Sequence, residues 1–321
     1  MKMADLRDEL DDEVSTIMSD AFSVGVTSTN YVPHSDDAAI TFPNLDEWKQ
    51  SCKLIDTCIL YIDIRRSTEL NLTHDPETVA KLYSSFVRAM SKAALQFGGH
   101  VRGIIGDRVM VLFDKEKAFT NALWCASLMN SVSQFVINKH FKANEVTCGI
   151  GIDAGKMLVT KTGIRKNGQQ RHNYKNLVWL GRPANVASKL TDLANKPAEG
   201  ADVGAVLVGF QTSVGADDFK WRWLEYLCWD FVKHIRSDVL SRQIQFNDPN
   251  FRSIVVYEKR VETKSATPPI LMSRAVYAGF AQENPDYEGF AKGWFNQVTV
   301  SVPGFHDSVW GCNMTYPAFT E

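Results

Sequence analysis

Two aspartates hold the positions in this sequence best suited to chemistry. Asp63 ends the apolar run 58–62 and is followed by Ile64, Arg65, Arg66, Ser67 and Thr68. Asp107 follows Gly106 between two further apolar runs, 101–105 and 109–113. A single carboxylate at such a place is ordinarily a cap or turn former. Two of them, joined by a long helical stretch that returns the chain to the same sheet edge, point to a divalent-ion site. Hard cations take oxygen ligands, and Mg²⁺ or Mn²⁺ in phosphate chemistry is held by one or two carboxylates plus substrate oxygens. A two-metal site for phosphoryl chemistry is the leading reading. Asn185 and Lys189 stand one helical turn apart and share a face, adding an amide and a cation to the inventory.

The elements that must position these groups follow from periodicity. Leu6, Leu10, Val14 and Met18 recur at helical spacing, so residues 1–20 form a short amphipathic helix, with a loop over 22–47. The compact domain starts near Lys53 with the strand that carries Asp63. Asp75-Pro76 is a helix start, an N-cap acid followed by proline at the first helical position, and Gly98-Gly99 ends that helix. A hairpin spans 101–113 around Asp107, and a second long helix covers 115–138. A second hairpin is expected over 146–162 with its turn at Gly155, followed by a polar, basic arm over 163–172. A short strand at 177–180 feeds a helix from Pro183 to Asn195. Strands are expected at 205–208 and at 254–257, the latter as the last strand of the sheet. This order describes an α/β (α+β) domain with a mostly antiparallel sheet covered by helices. It divides into an N-terminal segment 1–52, a domain 53–260 and an appended, aromatic-rich C-terminal segment 261–321, expected to pack on the core or on a second subunit.

Composition narrows the function classes. The net charge of −2 gives no generalised grip on nucleic acid, so a small anionic substrate must be held by local devices. The six cysteines are scattered without a C-x-x-C pair, several in apolar runs, and read as reduced core residues of a cytoplasmic protein. Residues 5–13 are too acidic for a signal peptide. No run approaches the ~18 apolar residues of a membrane span.

Three ordered blocks resemble the class III nucleotidyl cyclases. Tyr61-Ile62-Asp63-Ile64 with Ser67-Thr68 is similar to their first metal-binding strand. Gly106-Asp107 with Val109-Met110 is similar to their second metal hairpin, at a separation from Asp63 that suits the family. Residues 179–190, from Trp179-Leu180-Gly181 through Asn185 to Lys189, resemble their transition-state helix. The likeness covers roughly residues 55–195. It implies a class III cyclase-like domain with metal ligands Asp63, Asp107 and the Ile64 carbonyl, holding two Mn²⁺ or Mg²⁺ ions. It also implies catalytic roles for Asn185 and Lys189, and a homodimer in which the aspartates of one subunit face the Asn185 helix of the other. The family commonly has arginine where this chain has Lys189; a lysine supplies a point charge rather than a planar fork.

The resemblance also bears on the substrate, a nucleoside triphosphate held by Tyr61, Arg102, Gly103 and Val178. Purine cyclases of the family commonly place Lys or Glu at the position of Gly103, with a polar partner at that of Val178. Losing both removes a purine-reading pair and leaves Arg102, Tyr174 or Asn176 to reach a smaller base. The combination is similar to the pyrimidine cyclases of bacterial Pycsar anti-phage systems, whose cyclic UMP or cyclic CMP is read by a separate sensing effector. Uracil offers two carbonyl acceptors and arginine carries only donors, which favours UTP. CTP and ATP remain rival substrates, and a cyclase-shaped but inactive binding or dimerisation module is the rival class. Lys156, Lys161, Arg165, Lys166 and Arg171 are alternatives for gripping the terminal phosphates.

Overall fold

The structure, a computed structural model, describes residues 2–141, 146–163, 177–213, 219–238 and 243–320. The basic arm and its Arg165, Lys166, Arg171, Tyr174 and Asn176 lie outside the described residues. The chain divides into two compact units, residues 1–196 with 267–321, and residues 197–266.

The larger unit opens with helix α1 (Met3–Met18), whose side chains are all at least partly exposed. Strand β1 (Ser23–Thr29) pairs in parallel with the first part of β2 (Lys49–Ile64), so part of the N-terminal segment belongs to the sheet. After β2 come α2 (Ser67–Thr73) and α3 (Pro76–Gln96). The start expected at Asp75 is observed: its Oδ1 accepts from Thr78 N at 2.9 Å, and Pro76 opens the helix. Gly98, at φ 65°, turns the chain into β3 (Gly99–Ile105) and β4 (Arg108–Phe113). Helix α4 (Ala118–Ser131) continues through a π-helical turn at Val132–Ile137 into α5 (Asn138–His140).

The hairpin expected over 146–162 is instead one strand, β5 (Cys148–Lys161). It pairs without a break along β2 from Ile64↔Cys148 to Lys53↔Val159. Gly155 sits inside that ladder at φ 147°, and a Cβ there would lie 3.1 Å from Pro183 Cγ. The glycine admits a helix rather than making a turn. Strand β6 (Leu177–Leu180) pairs with β5 and leads into α6 (Arg182–Leu193).

The smaller unit holds β7 (Glu199–Ser213), β8 (Phe219–Leu227), α7 (Cys228–Phe231), β9 (Ile235–Asp238), β10 (Gln243–Phe246) and β11 (Phe251–Lys264). Its sheet runs β11-β7-β8, and β9 and β10 form a separate antiparallel pair. Val206, Val208 and Phe210 form its own small core with Leu224, Tyr226 and Phe246. Residues 254–257 therefore end this sheet, not the sheet that carries the aspartates. The place beside β5 goes to β12 (Ile270–Ser273), which pairs in parallel from Ile270↔Ile150.

The C-terminal residues are thus integral to the larger unit. Helix α8 (Arg274–Glu283) follows β12, and β13 (Asn296–Val298) and β14 (Val309–Cys312) extend the sheet. Among the described residues this sheet has nine strands along β13-β14-β12-β5-β2-β4-β3, with β1 on β2 and β6 on β5. Only the β1–β2 and β12–β5 pairs of this sheet are parallel among the described residues. The aromatics that set 261–321 apart in sequence pack against α4: Trp124 meets Phe280 and Tyr287 edge-on, and Tyr277 stacks on Trp310 at 3.9 Å.

The central strands of the larger sheet are buried on both faces. On one face Leu60, Ile62, Val109, Val111, Ile150 and Ile152 meet Phe86 and Met90 of α3, Leu123 and Met129 of α4, and Phe280 of α8. On the other, Ile55, Ile59, Met110 and Leu112 pack with Val32, Ile40, and Ala184 and Ala187 of α6. The outer side of α6 is covered by Val302, Phe305 and Val309. No helix among the described residues is long and apolar enough to cross a membrane.

Candidate active site

Strand alternation decides which side chains reach the site. In β2, Leu60, Ile62 and Ile64 point into the α3/α4 core, so Ile59, Tyr61 and Asp63 point to the face where α6 lies. Antiparallel pairing of β2 with β4 runs Tyr61↔Met110 and Ile62↔Val109. The next positions, Asp63 and Arg108, are therefore side by side at the sheet's end. Asp107 sits in the β3–β4 turn after Gly106 at φ 61°, a conformation that glycine adopts without strain. Its Oδ2 accepts from Ile64 N at 3.2 Å, tying the turn to the end of β2. The two carboxylates that sequence spacing singles out are brought together.

The two carboxylates lie in different electrostatic surroundings. Burial pushes the Asp107 carboxyl up to about 6, and the Asp63 charge beside it adds to the rise. Arg108 answers that charge: its Nη2 lies 2.5 Å and its Nε 3.1 Å from Asp63 Oδ2. A positive group thus already rests on one of the two carboxylates; the oxygen donors themselves are of the type that hard divalent cations take. Among the described residues no three His, Cys, Asp or Glu side chains are placed to hold one ion. Asp63 and Asp107 are the two carboxylates at this place that could hold a divalent ion, with coordination positions left for substrate and water.

Helix α6 lies flush on β5 because of glycine. A Cβ on Gly151 would stand 2.2 Å from Ala187 O and 2.3 Å from Thr191 N. The last turn of α6 is also held from below. Arg65 donates to Thr191 O at 2.8 Å and to Asp192 O at 3.0 Å, satisfying carbonyls at the negative end of the helix. On this helix Asn185 and Lys189 are both exposed, on the side turned from β5. Lys189 Nζ donates to Pro303 O at 2.7 Å. The α6 groups that reach toward Asp63 in the same chain are Ser188 and Asp192, through Arg108.

The residues assigned to the base are divided between two places. Tyr61, Met110 and Gly103 form one rung across β2, β4 and β3, immediately beside the aspartates. Tyr61 Oη is 3.0 Å from Met110 Sδ, and burial raises its phenol above the usual range. Val178 lies on β6 opposite Thr160, one residue beyond the Val159 that faces Lys53. Lys53 and Asp63 lie near opposite ends of the β2–β5 ladder, roughly 30 Å apart along the strand. One chain therefore does not bring Gly103 and Val178 to one pocket. Arg102 occupies a bulge in β3, with Nε donating to Pro33 O at 3.0 Å and Nη1 to Val101 O at 3.2 Å.

Two groups were not singled out from sequence. Met110 follows from its register with Tyr61, visible only once the strands are paired. Arg108 directly follows Asp107, and that adjacency was the available signal.

Comparison with known proteins gives the family. The family described as adenylate and guanylate cyclase catalytic domain matches residues 50–198. A uridylate cyclase of Burkholderia cepacia is 31% identical over 177 residues, 54% of this chain and 72% of its own length. A uridylate cyclase of Xanthomonas perforans is 31% identical over 195 residues, 57% of this chain and 77% of its own. A cytidylate cyclase of Staphylococcus aureus is 31% identical over 118 residues, covering 33% of this chain and 28% of its own length.

Proposed function

The chain belongs to the class III nucleotidyl cyclases, and from that premise we propose that it converts UTP to 3′,5′-cyclic UMP and pyrophosphate. The observation that carries the reading is the junction of Asp63 and Asp107 at adjoining strand ends, linked through Ile64 N. In the reaction the ribose 3′-oxygen forms a bond to the α-phosphorus, its proton is lost, and the bond to the pyrophosphate oxygen breaks. Two Mn²⁺ or Mg²⁺ ions, when bound, would lower the cost of the 3′-alkoxide and neutralise the departing pyrophosphate. Asp63, Asp107 and the Ile64 carbonyl are the groups that would hold them.

The remaining residues position and neutralise. Lys189 supplies positive charge at the α-phosphate, where charge accumulates as the bond breaks, and Asn185 one turn earlier orients the same region. Both face away from β5 in their own chain, so the proposal makes the enzyme a homodimer with composite sites. Gly103 of one subunit and Val178 of the other then border one base pocket, and neither has a polar group to hold a purine edge. Tyr61 and Met110 floor that pocket. Arg102 contributes donors suited to the carbonyls of uracil if its guanidinium exchanges the Pro33 carbonyl for the base. Following the uridylate relatives and the Pycsar resemblance, the product serves as a cytoplasmic alarm signal in anti-phage defence, read by a separate effector.

The test is incubation with equal UTP, CTP, ATP and GTP and Mn²⁺, with identification of every cyclic product. Cyclic UMP is expected to dominate. Dominant cyclic AMP or cyclic GMP overturns the pyrimidine reading. Dominant cyclic CMP overturns only the choice of uracil, a second reading that the cytidylate relative favours. No cyclic product from a folded, metal-loaded dimer would leave a binding module.

A further inference from the structure

Arg108 is engaged on every side by groups of the site. Its Nη2 and Nε both donate to Asp63 Oδ2, at 2.5 Å and 3.1 Å. Nη1 donates to Ser188 Oγ at 2.8 Å, and Nη2 also donates to the Asp192 carboxylate. The Arg108 and Asp63 side chains keep only 25% and 18% of their exposure, so this pair is poorly screened by solvent. The guanidinium therefore spans from the end of β2 to the last turns of α6.

This arrangement competes with a divalent cation bound at the same oxygen, Asp63 Oδ2. A metal ion at ~2.1 Å from Asp63 Oδ2 would lie within a few ångströms of a guanidinium already bonded to that oxygen, with little water between to screen them. Two positive groups then compete for one anion. We propose that Arg108 is the resident counter-ion of Asp63, which the first metal ion must displace, so that metal entry also releases β4 from Ser188 and Asp192 of α6. The inference rests on the assignment of Asp63 as a metal ligand. It makes Arg108 a positioning residue: it holds Asp63 facing α6 until metal arrives, and it lowers the protein's affinity for free metal.

The neighbouring Arg65 provides the control. It is a second positive group near Asp63, but its guanidinium is bound to the Thr191 and Asp192 backbone carbonyls. A general field effect would be shared by both arginines, whereas displacement belongs to Arg108 alone.

The experiment titrates the full chain, without nucleotide, with Mn²⁺ and follows the electron paramagnetic resonance signal of the free aquo ion. Wild type, Arg108→Gln, Arg108→Lys, Arg65→Gln, Asp63→Asn and Asp107→Asn are compared, each checked for folding by thermal melting. Arg108→Gln is expected to bind Mn²⁺ about tenfold tighter than wild type or better, with Arg108→Lys between them and Arg65→Gln close to wild type. Mn²⁺ is also expected to raise the melting temperature of Arg108→Gln more than that of wild type, because stabilisation by a ligand grows with its affinity. If Arg108→Gln binds no tighter than wild type, or Arg65→Gln tightens binding equally, displacement is wrong while the metal site stands. If Asp63→Asn and Asp107→Asn bind Mn²⁺ as wild type does, the metal assignment itself fails. Should Arg108→Gln not fold, Arg108→Lys decides: affinity equal to wild type overturns the proposal.

Discussion

Replacing Gly151 by alanine tests how α6 is held against the sheet. The new Cβ would stand 2.2 Å from Ala187 O, 2.3 Å from Thr191 N and 2.6 Å from Thr191 Oγ1. The first two are backbone atoms, so no rotamer change relieves the clash. Restoring ordinary van der Waals separation requires the helix or the strand to move by about 1 Å, since packed interiors yield little. Overpacking of that kind costs about 1–3 kcal/mol. At a urea slope of about 2 kcal/mol/M this lowers the unfolding midpoint by about 0.5–1.5 M. The effect on turnover should be larger, because α6 carries Asn185 and Lys189. A displacement of ~1 Å in groups that must meet a transition state costs on the order of 100-fold. The assay is a urea melt beside steady-state cyclisation of UTP in the same preparation. A Gly151→Ala protein with wild-type midpoint and wild-type turnover would refute both the close approach of α6 to β5 and the dependence of catalysis on it.

Lys189→Ala is expected to lose about 10²–10³ in kcat and Lys189→Arg to keep much of it, because charge is the common element; equal kcat in wild type and Lys189→Ala would make the helix face structural. Asp107 carries a folded-state carboxyl raised to about 6 from an ordinary 3.8, so its proton favours the folded state. Metal-free wild type should therefore gain stability relative to Asp107→Asn as pH falls from 7 through 6 toward 4, measured by urea melts at each pH; a gap that is flat or of opposite slope contradicts the buried-pair account. Arg102→Ala should reduce use of UTP more than it weakens inhibition by a non-cyclisable triphosphate, whereas equal losses would mark Arg102 as a brace for the Pro33 segment alone.

Strands and helices were legible where local chemistry alone fixes them. Asp75-Pro76 opens α3 as its residue types require, because an N-cap acid and a proline at the first helical position act within one turn. Gly155 was misread as a turn for the same locality: glycine permits a bend and also permits a neighbouring helix, and only Pro183 distinguishes them. The aromatic tail from 261 onward lacks periodicity, so nothing in its sequence announced that β12 would lie beside β5. Long-range pairing is set by which buried edge remains open, a property of the assembled sheet.

What the sequence determined by itself is the chemistry: two carboxylates at apolar strand ends, an amide and a cation one helical turn apart, and no charged residue at Gly103 or Val178. Residue type and short spacing carry that information directly. What the tertiary structure decided is who meets whom. Antiparallel register alone sets Arg108 against Asp63 and Met110 between Tyr61 and Gly103. The length of β2 puts Val178 far from Gly103 in the same chain. Such contacts join residues many positions apart, and they exist only because burying both faces of the central strands selects one register, a one-residue slip of which would carry the buried side chains to the opposite face.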